Sequence, residues 1–252
     1  MITEYKRPAD LKEALNMLTQ PNTRPLGGGT VLSKGTTETI VVVDLQSLGL
    51  NKIIKTGNKL VIGATSTLTQ IYDSPHPLPA LAEALRLETP INLRNVGTVA
   101  GALVTCDGRS PFSTVMLALD AKLTLESEAS SPVTVGLGDF LASRDQYLPG
   151  KLITRIEIPL NIKLAFENVA RTPVDRPIVC AALAQWPSGR TRLTLGGWGI
   201  TPLLAMDGNE PGGLDAAARN AYAEAGDQWA SAEYRREIAA VLSQRCLEKI
   251  SL

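Results

Sequence analysis

The stretch LRNVGTVAGALVTCDGRSPF, Leu93 to Phe112, decides how this chain is read. Three glycines and three threonine or serine hydroxyls surround one acid, Asp107, with almost no side-chain bulk between Gly97 and Thr105. Small residues at that density let a backbone come close to another group. An upstream loop, LGGGTVLSK (Leu26 to Lys34), has the same character. Its consecutive Gly27, Gly28 and Gly29 amides and the Thr30 hydroxyl form a nest able to converge on an anion. Taken alone, that loop reads equally as a structural glycine turn. It follows a helix and precedes a strand, the reverse of the dinucleotide fingerprint, and neither loop has a P-loop ending. Two such loops, some seventy residues apart, can clamp a pyrophosphate from both sides without Lys or Arg. The residues point to a nucleotide-containing cofactor, and two phosphate-cradling loops suit a dinucleotide better than a mononucleotide.

Composition narrows the field. The chain has 252 residues, enough for one large domain or two modest ones. Its 25 basic and 25 acidic side chains cancel, which argues against a nucleic-acid partner. No apolar run approaches the ~20 residues needed to span a bilayer. The start, MITEYKRPAD, lacks the apolar segment of a signal peptide, so the expectation is a cytoplasmic protein without membrane attachment. Cys106, Cys180 and Cys246 lie far apart and read as reduced thiols. The one histidine, His76, sits in the turn-like SPHPLP, which leaves little for a Ser-His-Asp triad or a His-rich metal site. There is no iron–sulfur cysteine pattern. Redox chemistry would belong to an organic cofactor, and no catalytic side chain or metal ligand is assigned.

Along the chain, PADLKEALNMLTQ reads as a helix capped by Asp10 with Glu13 three residues on, and Leu11, Ala14, Leu15 and Leu18 on one face. RPLGGGTVLSKG reads as a loop and TIVVVDL as a buried strand. KIIKTGNKLVIGAT is a hairpin across Gly57-Asn58. TLTQIYD and PALAEALRLE are helical, FSTVMLALDAKLTLES runs from helix to strand, and GKLITRIEIPL is a strand with Leu152, Ile156 and Ile158 on one face. VCAALAQWPSGRTRLTLGGWG reads as two strands joined at Ser188-Gly189. The remainder of the chain reads as helical, LDAAARNAYAEA and then SAEYRREIAAVLSQRCLEKI, capped by Ser231. The change of character places a boundary near residue 160, between a mixed α/β domain and a smaller domain of sheet plus helices.

Several of these segments, in this order, resemble the FAD-binding medium subunit of the molybdenum hydroxylases, the xanthine dehydrogenase and carbon monoxide dehydrogenase family. RPLGGGTVL resembles its A-G-G-T-D-L loop, and INLRNVGTVAGALVTCD its I-R-N-x-G-T-x-G-G-N-L-x-x-A-D loop. YKRPADLKEALNML, LALDAKL, DFL, LITRIEIP, LGGWGITP and SAEYRREIAAVLSQR follow the family's order and rough spacing. The resemblance implies an α+β chain with the two-lobed FAD-binding fold of the vanillyl-alcohol oxidase (PCMH) type over residues 1–160. Its lobes would cover about 1–55 and 56–160, with a C-terminal α/β domain of the CO dehydrogenase flavoprotein type over 161–252. It implies FAD contacts at Leu26, Gly27, Gly28, Gly29, Thr30, Val31 and Leu32 in the first loop. In the second it implies Thr98, Val99, Ala100, Gly101, Ala102, Thr105 and Asp107, and it adds Ile153. It also implies that electrons reach the flavin from a molybdopterin subunit through an iron–sulfur subunit and leave to a separate acceptor.

The likeness has gaps. Ala100 and Ala102 replace the first Gly and the Asn of the family's T-x-G-G-N, and Val31 stands where the family has Asp or Ser. The acid that holds FAD ribose hydroxyls in the family falls on Pro111, and Asp107 matches an earlier acid of the same run. Glu167 stands where the family typically has a flavin-contacting Lys, and a carboxylate there would repel the negative charge of reduced flavin. Arg109 reads as a solvated surface residue, with a phosphate contact as the alternative. Two functions remain in view: an FAD-binding electron-transfer subunit, or a degenerate paralogue that keeps the fold and serves as a structural or assembly subunit.

Overall fold

The structure, a computed structural model, describes residues 1–34, 38–76 and 78–251. Gly35, at the end of the first glycine loop, and Pro77, in the turn around His76, lie outside the described residues. Two compact units share the chain, and each is discontinuous. The first comprises residues 1–74, 91–105 and 122–157, and the second 75–90, 106–121 and 158–252. The glycine-rich stretch 93–112 is therefore divided, its glycine–threonine half in the first unit and its Asp107–Arg109 half in the second.

In the first unit, the β-branched run becomes the centre of a parallel sheet. Strand β3 (Ile40–Asp44) lies between β1 (Ile2–Lys6) and β2 (Thr23–Leu26). Ile40, Val42 and Val43 are buried along β3, as extended β-branched side chains favour. Helix α1 (Leu11–Leu18) turns Ala14, Leu15 and Leu18 into a core with Val43, Leu45 and Leu152, and Leu11 packs at its margin. Asp10 Oδ1 accepts the Glu13 amide at 2.8 Å, and Glu13 Oε2 accepts the Ala9 amide at 2.6 Å. A cap of this kind contributes about 1 kcal/mol. Pro25 sits in edge strand β2, where a missing N–H is tolerated; the segment read wholly as loop is thus extended from Thr23 to Leu26.

A five-stranded sheet completes this unit, in the order β4 (Ile53–Thr56), β5 (Lys59–Gly63), β8 (Lys151–Pro159), β6 (Lys122–Ser127), β7 (Val133–Gly136). Thr56 pairs with Lys59 across Gly57-Asn58, and Gly57 takes a φ of 59° that the two-residue turn requires. Short helices α2 (Leu68–Tyr72), α4 (Ile91–Arg94), α5 (Val99–Thr105), α7 (Leu137–Ala142) and α8 (Arg144–Tyr147) surround it in the sequence. Thr67 and Gln70 form a reciprocal capping box at α2.

The second unit is built on an antiparallel sheet ordered β12 (Leu203–Gly208), β11 (Thr191–Gly196), β10 (Val179–Gln185), β9 (Lys163–Val169). Every residue of β10 from Val179 to Ala184 is buried, so the strand is covered on both faces. Its alanines let helices come close. Helix α10 (Ala232–Ser251) covers β10 and β9, while α6 (Pro111–Ala118) packs against β10 and β11. Helix α3 (Pro79–Glu88) lies against α6 and β9, and α9 (Leu214–Ala221) against α10 and β12. Ala239, Leu242, Cys246 and Ile250 form the buried stripe of α10 at helical spacing, and Ser231 Oγ accepts the Tyr234 amide at 3.2 Å. The region after Gly196 is not all helix: β12 intervenes before α9.

Candidate functional site

The glycines of the first loop are required by what lies against them. A Cβ on Gly28 would stand 1.7 Å from the Val96 carbonyl oxygen, and one on Gly27 would stand 2.8 Å from Thr98 Oγ1. Gly29 has a φ of 68°, a backbone region that other L residues rarely adopt. The two loops therefore approach each other, which is the first thing the dense small residues permit. Gly108 does the same in the second unit, where a Cβ would lie 1.9 Å from the Trp198 carbonyl oxygen.

The first loop also leaves its donors free. Among the described residues, the amides from Gly27 to Leu32 make no hydrogen bond, and the Thr30 hydroxyl has no partner. Unpaired backbone donors at such density need an acceptor from water or a ligand.

The second loop behaves differently. It becomes helix α5 at Val99, and the amides that would open an anion site are already used. Val99 donates to the Ser66 carbonyl at 2.9 Å and Ala100 to Ala64 at 3.1 Å. Gly101 donates to Thr98 Oγ1 at 3.2 Å and Ala102 to the Thr98 carbonyl at 2.9 Å. That helix start is satisfied internally, so these amides have no hydrogen left to give a phosphate. What the second loop still offers is the Thr98 hydroxyl, which accepts from Gly101 and keeps its own hydrogen to donate. The Thr105 hydroxyl is engaged with the Gly101 carbonyl at 2.8 Å.

Both loops line one cavity of about 690 Å³ within the first unit. That volume falls in the range of ligand pockets. Gly27, Gly28, Gly29, Thr30, Val31 and Leu32 border it, as do Thr98, Ala100, Gly101, Thr105 and Ile153. Leu26, Val99, Ala102 and Asp107 do not. Val99 is fully buried in the protein interior, and Leu26 is spent on strand pairing with Asp44. Residues not expected as cofactor contacts complete the wall: Leu18, Leu45, Leu148 and Leu152 supply apolar surface, and Arg24, Asp145 and Lys151 supply charge. Two glycine loops can clamp a pyrophosphate without Lys or Arg, but Arg24 and Lys151 also stand on the lining. Arg24 gave no signal because its place beside the glycines depends on the register of β2.

The remaining residues singled out from the sequence sit in the second unit. Asp107 is bound by Arg176 through two bonds, 2.6 and 2.9 Å, and accepts the Arg109 amide at 2.8 Å. Burial works against its ionisation, yet Arg176 and the Arg109 amide hold it below the usual carboxylate range. Arg109 is neither a free surface residue nor a free phosphate ligand. Its guanidinium donates to the Pro177 carbonyl at 3.2 Å and the Arg176 carbonyl at 2.8 Å, and stacks 4.7 Å from the Trp229 ring centre. Glu167 is not an uncompensated carboxylate, because Lys249 lies 2.5 Å from it.

Pro111 opens helix α6, where its missing N–H costs nothing. On either side of it, the Ser110 hydroxyl and the Phe112 amide donate to one Glu88 oxygen at 2.8 and 3.1 Å. Burial pushes the Glu88 carboxyl up, against the pull of those two donors. Pro111 is buried and borders no part of the cavity. Pro111→Asp is therefore expected to destabilise the chain by about 1–3 kcal/mol, by setting a second buried carboxylate beside Glu88. Urea unfolding of the two proteins measures this; an unchanged midpoint with tighter FAD binding would instead restore Pro111 as a lost ribose ligand.

The family described as "FAD binding domain in molybdopterin dehydrogenase" matches residues 1–161. The chain is 27% identical to the glyceraldehyde dehydrogenase medium chain of Sulfolobus acidocaldarius, with 98% of each covered. It is also 27% identical to the carbon monoxide dehydrogenase medium chain of Afipia carboxidovorans, over 98% of this chain and 96% of that one. A solved structure, reconstituted CO dehydrogenase from Oligotropha carboxidovorans, matches 98% of this chain and 96% of its own with a TM-score of 0.81 at 27% identity. The family match spans both glycine loops and the strand carrying Ile153, so the chain belongs to the FAD-binding domain family of the molybdopterin dehydrogenases.

Proposed function

We propose that the cavity of the first unit holds FAD and that the chain is the flavin-bearing electron-transfer subunit of a cytoplasmic, multi-subunit molybdenum hydroxylase. The observation that carries this reading is the run of amides from Gly27 to Leu32 on the cavity wall, unpaired among the described residues. Those amides suit the pyrophosphate oxygens, with the Thr98 hydroxyl donating from the facing loop. Arg24 and Lys151 offset the negative charge, and Leu18, Leu148, Leu152 and Ile153 keep water from the apolar parts. When bound, FAD supplies the capacity to accept electrons from one partner and hand them to another. The chain's own part is to bind, orient and insulate it. A molybdopterin dehydrogenase also needs a pterin and relay centres. With no iron–sulfur cysteine pattern in the sequence, an iron–sulfur subunit and a molybdopterin subunit are the partners this reading requires.

Isolation of the chain from its native source tests the proposal in one step. Acid-released cofactor is expected to chromatograph as FAD, and the preparation to contain an iron–sulfur and a molybdopterin subunit. FMN alone, or a colourless chain without companions, would overturn the reading. A colourless chain inside an intact complex would favour the structural paralogue, whose support is the internally satisfied start of α5.

A further inference from the structure

Among the described residues, Asp145 is the one carboxylate on the cavity wall. It is exposed and takes part in no hydrogen bond or ion pair within the described residues. Its segment is well anchored. The Arg144 guanidinium donates to the Val104 carbonyl at 2.8 Å, tying α8 to the last turn of α5, whose Val104 and Thr105 also line the cavity. A negative charge is a costly neighbour for a pyrophosphate, since like charges in one cleft repel. An unpaired carboxylate held there is explained if it meets donors that the ligand itself brings. Within FAD the best match is a vicinal diol: two adjacent hydroxyls present two O–H donors to two carboxylate oxygens. The adenine amino group and the flavin imide each offer less.

We propose that Asp145 accepts hydrogen bonds from vicinal hydroxyls of FAD, on the ribose or the ribityl chain, and so positions the cofactor against the Gly27–Leu32 amides. This rests on the reading that the cavity holds FAD. Its sign separates it from a bystander role: removing an idle carboxylate relieves repulsion and tightens FAD binding, whereas removing a hydroxyl acceptor weakens it.

The test is titration of FAD into wild type, Asp145→Asn and Asp145→Ala by fluorescence quenching, with thermal melting to confirm equal folding. Asp145→Ala is expected to raise the dissociation constant about tenfold to a hundredfold, with Asp145→Asn between it and wild type. Competition with ADP and with 2′,3′-dideoxy-ADP then identifies the diol. For a ribose contact, the dideoxy analogue binds worse than ADP to wild type but equally to Asp145→Ala, the non-additivity of two groups that touch. For a ribityl contact, Asp145→Ala weakens FAD and leaves ADP unaffected. An unchanged or tighter FAD constant in Asp145→Ala overturns the assignment while leaving the FAD site standing. Failure of wild type to bind FAD overturns the site and the assignment together.

Discussion

Replacing Gly28 by alanine is expected to abolish useful FAD binding. The new methyl group would stand 1.7 Å from the Val96 carbonyl oxygen and 2.5 Å from its carbon, both backbone atoms that no rotamer change can move. One loop must shift, and the neighbouring Gly29, already at a φ of 68°, has little freedom to absorb the change. Overpacking of this kind costs about 1–3 kcal/mol of stability. The loss in binding is larger in proportion, because the amides on either side of Gly28 lose their common direction. Forfeiting two charge-assisted bonds weakens FAD on the order of a hundredfold or more. The same titration that measures wild type decides the matter. An alanine variant that binds normally would mean that the loop tolerates displacement and that its amides do not act as a set.

Arg235→Met should produce the largest loss of stability. The Arg235 side chain is fully buried, and its guanidinium serves several acceptors. It donates to the carbonyls of Ala225 at 2.6 Å, Ala230 at 3.1 Å and Ile178 at 3.2 Å, and to both Asp227 oxygens at 2.8 and 2.9 Å. Methionine fills much of the volume but strands the buried carbonyls of Ile178 and Ala225, and each buried acceptor left without a partner costs about 1–3 kcal/mol. Burial opposes ionisation of Asp227, but Arg235 and the amides of Trp229 and Ala230 prevail, so its pKa in the folded chain is depressed. A depressed carboxylate contributes stability that is full above its unfolded pKa, near ~3.9, and is lost as pH falls through the lower folded value. The gap between wild type and Arg235→Met in urea should therefore be widest near neutrality and narrow in acid. A gap that does not change with pH would show that Asp227 takes no part.

Elements with local signals were legible in the sequence. Helix α1 announced itself by Asp10 and Glu13, and the β4–β5 hairpin by Gly57-Asn58. Strands β1 and β2 were not legible, because each is short, largely exposed and paired in parallel with β3, far along the chain. Strand β12 was hidden for a similar reason: it lies at a sheet edge with mixed exposure. The threonine and glycines before α5 suggested a loop, and only the Thr98 cap and the acceptors at Ala64 and Ser66 make that segment helical and self-satisfied. The first glycine loop, which lines the cavity, drew notice from the sequence alone, since consecutive glycines carry their reason locally. The pairing of Asp107 with Arg176 was not legible, because the two stand 69 residues apart. Asp145 was missed because nothing near it in sequence tells which surface α8 will face.

The division of the chain into alternating segments sets the order in which the molecule can be finished during synthesis. Segments of the two units emerge from the ribosome in turn, and the first unit waits for residues 122–157 before β6, β7 and β8 can join β5. By then α3 and α6 have been made, yet the sheet they cover, β9 to β12, has not. The first unit is complete once residue 157 is made, but the second cannot mature until residues 158–252 follow, so the nascent protein must hold apolar helices in waiting, the condition under which chaperones and early-binding partners are most needed.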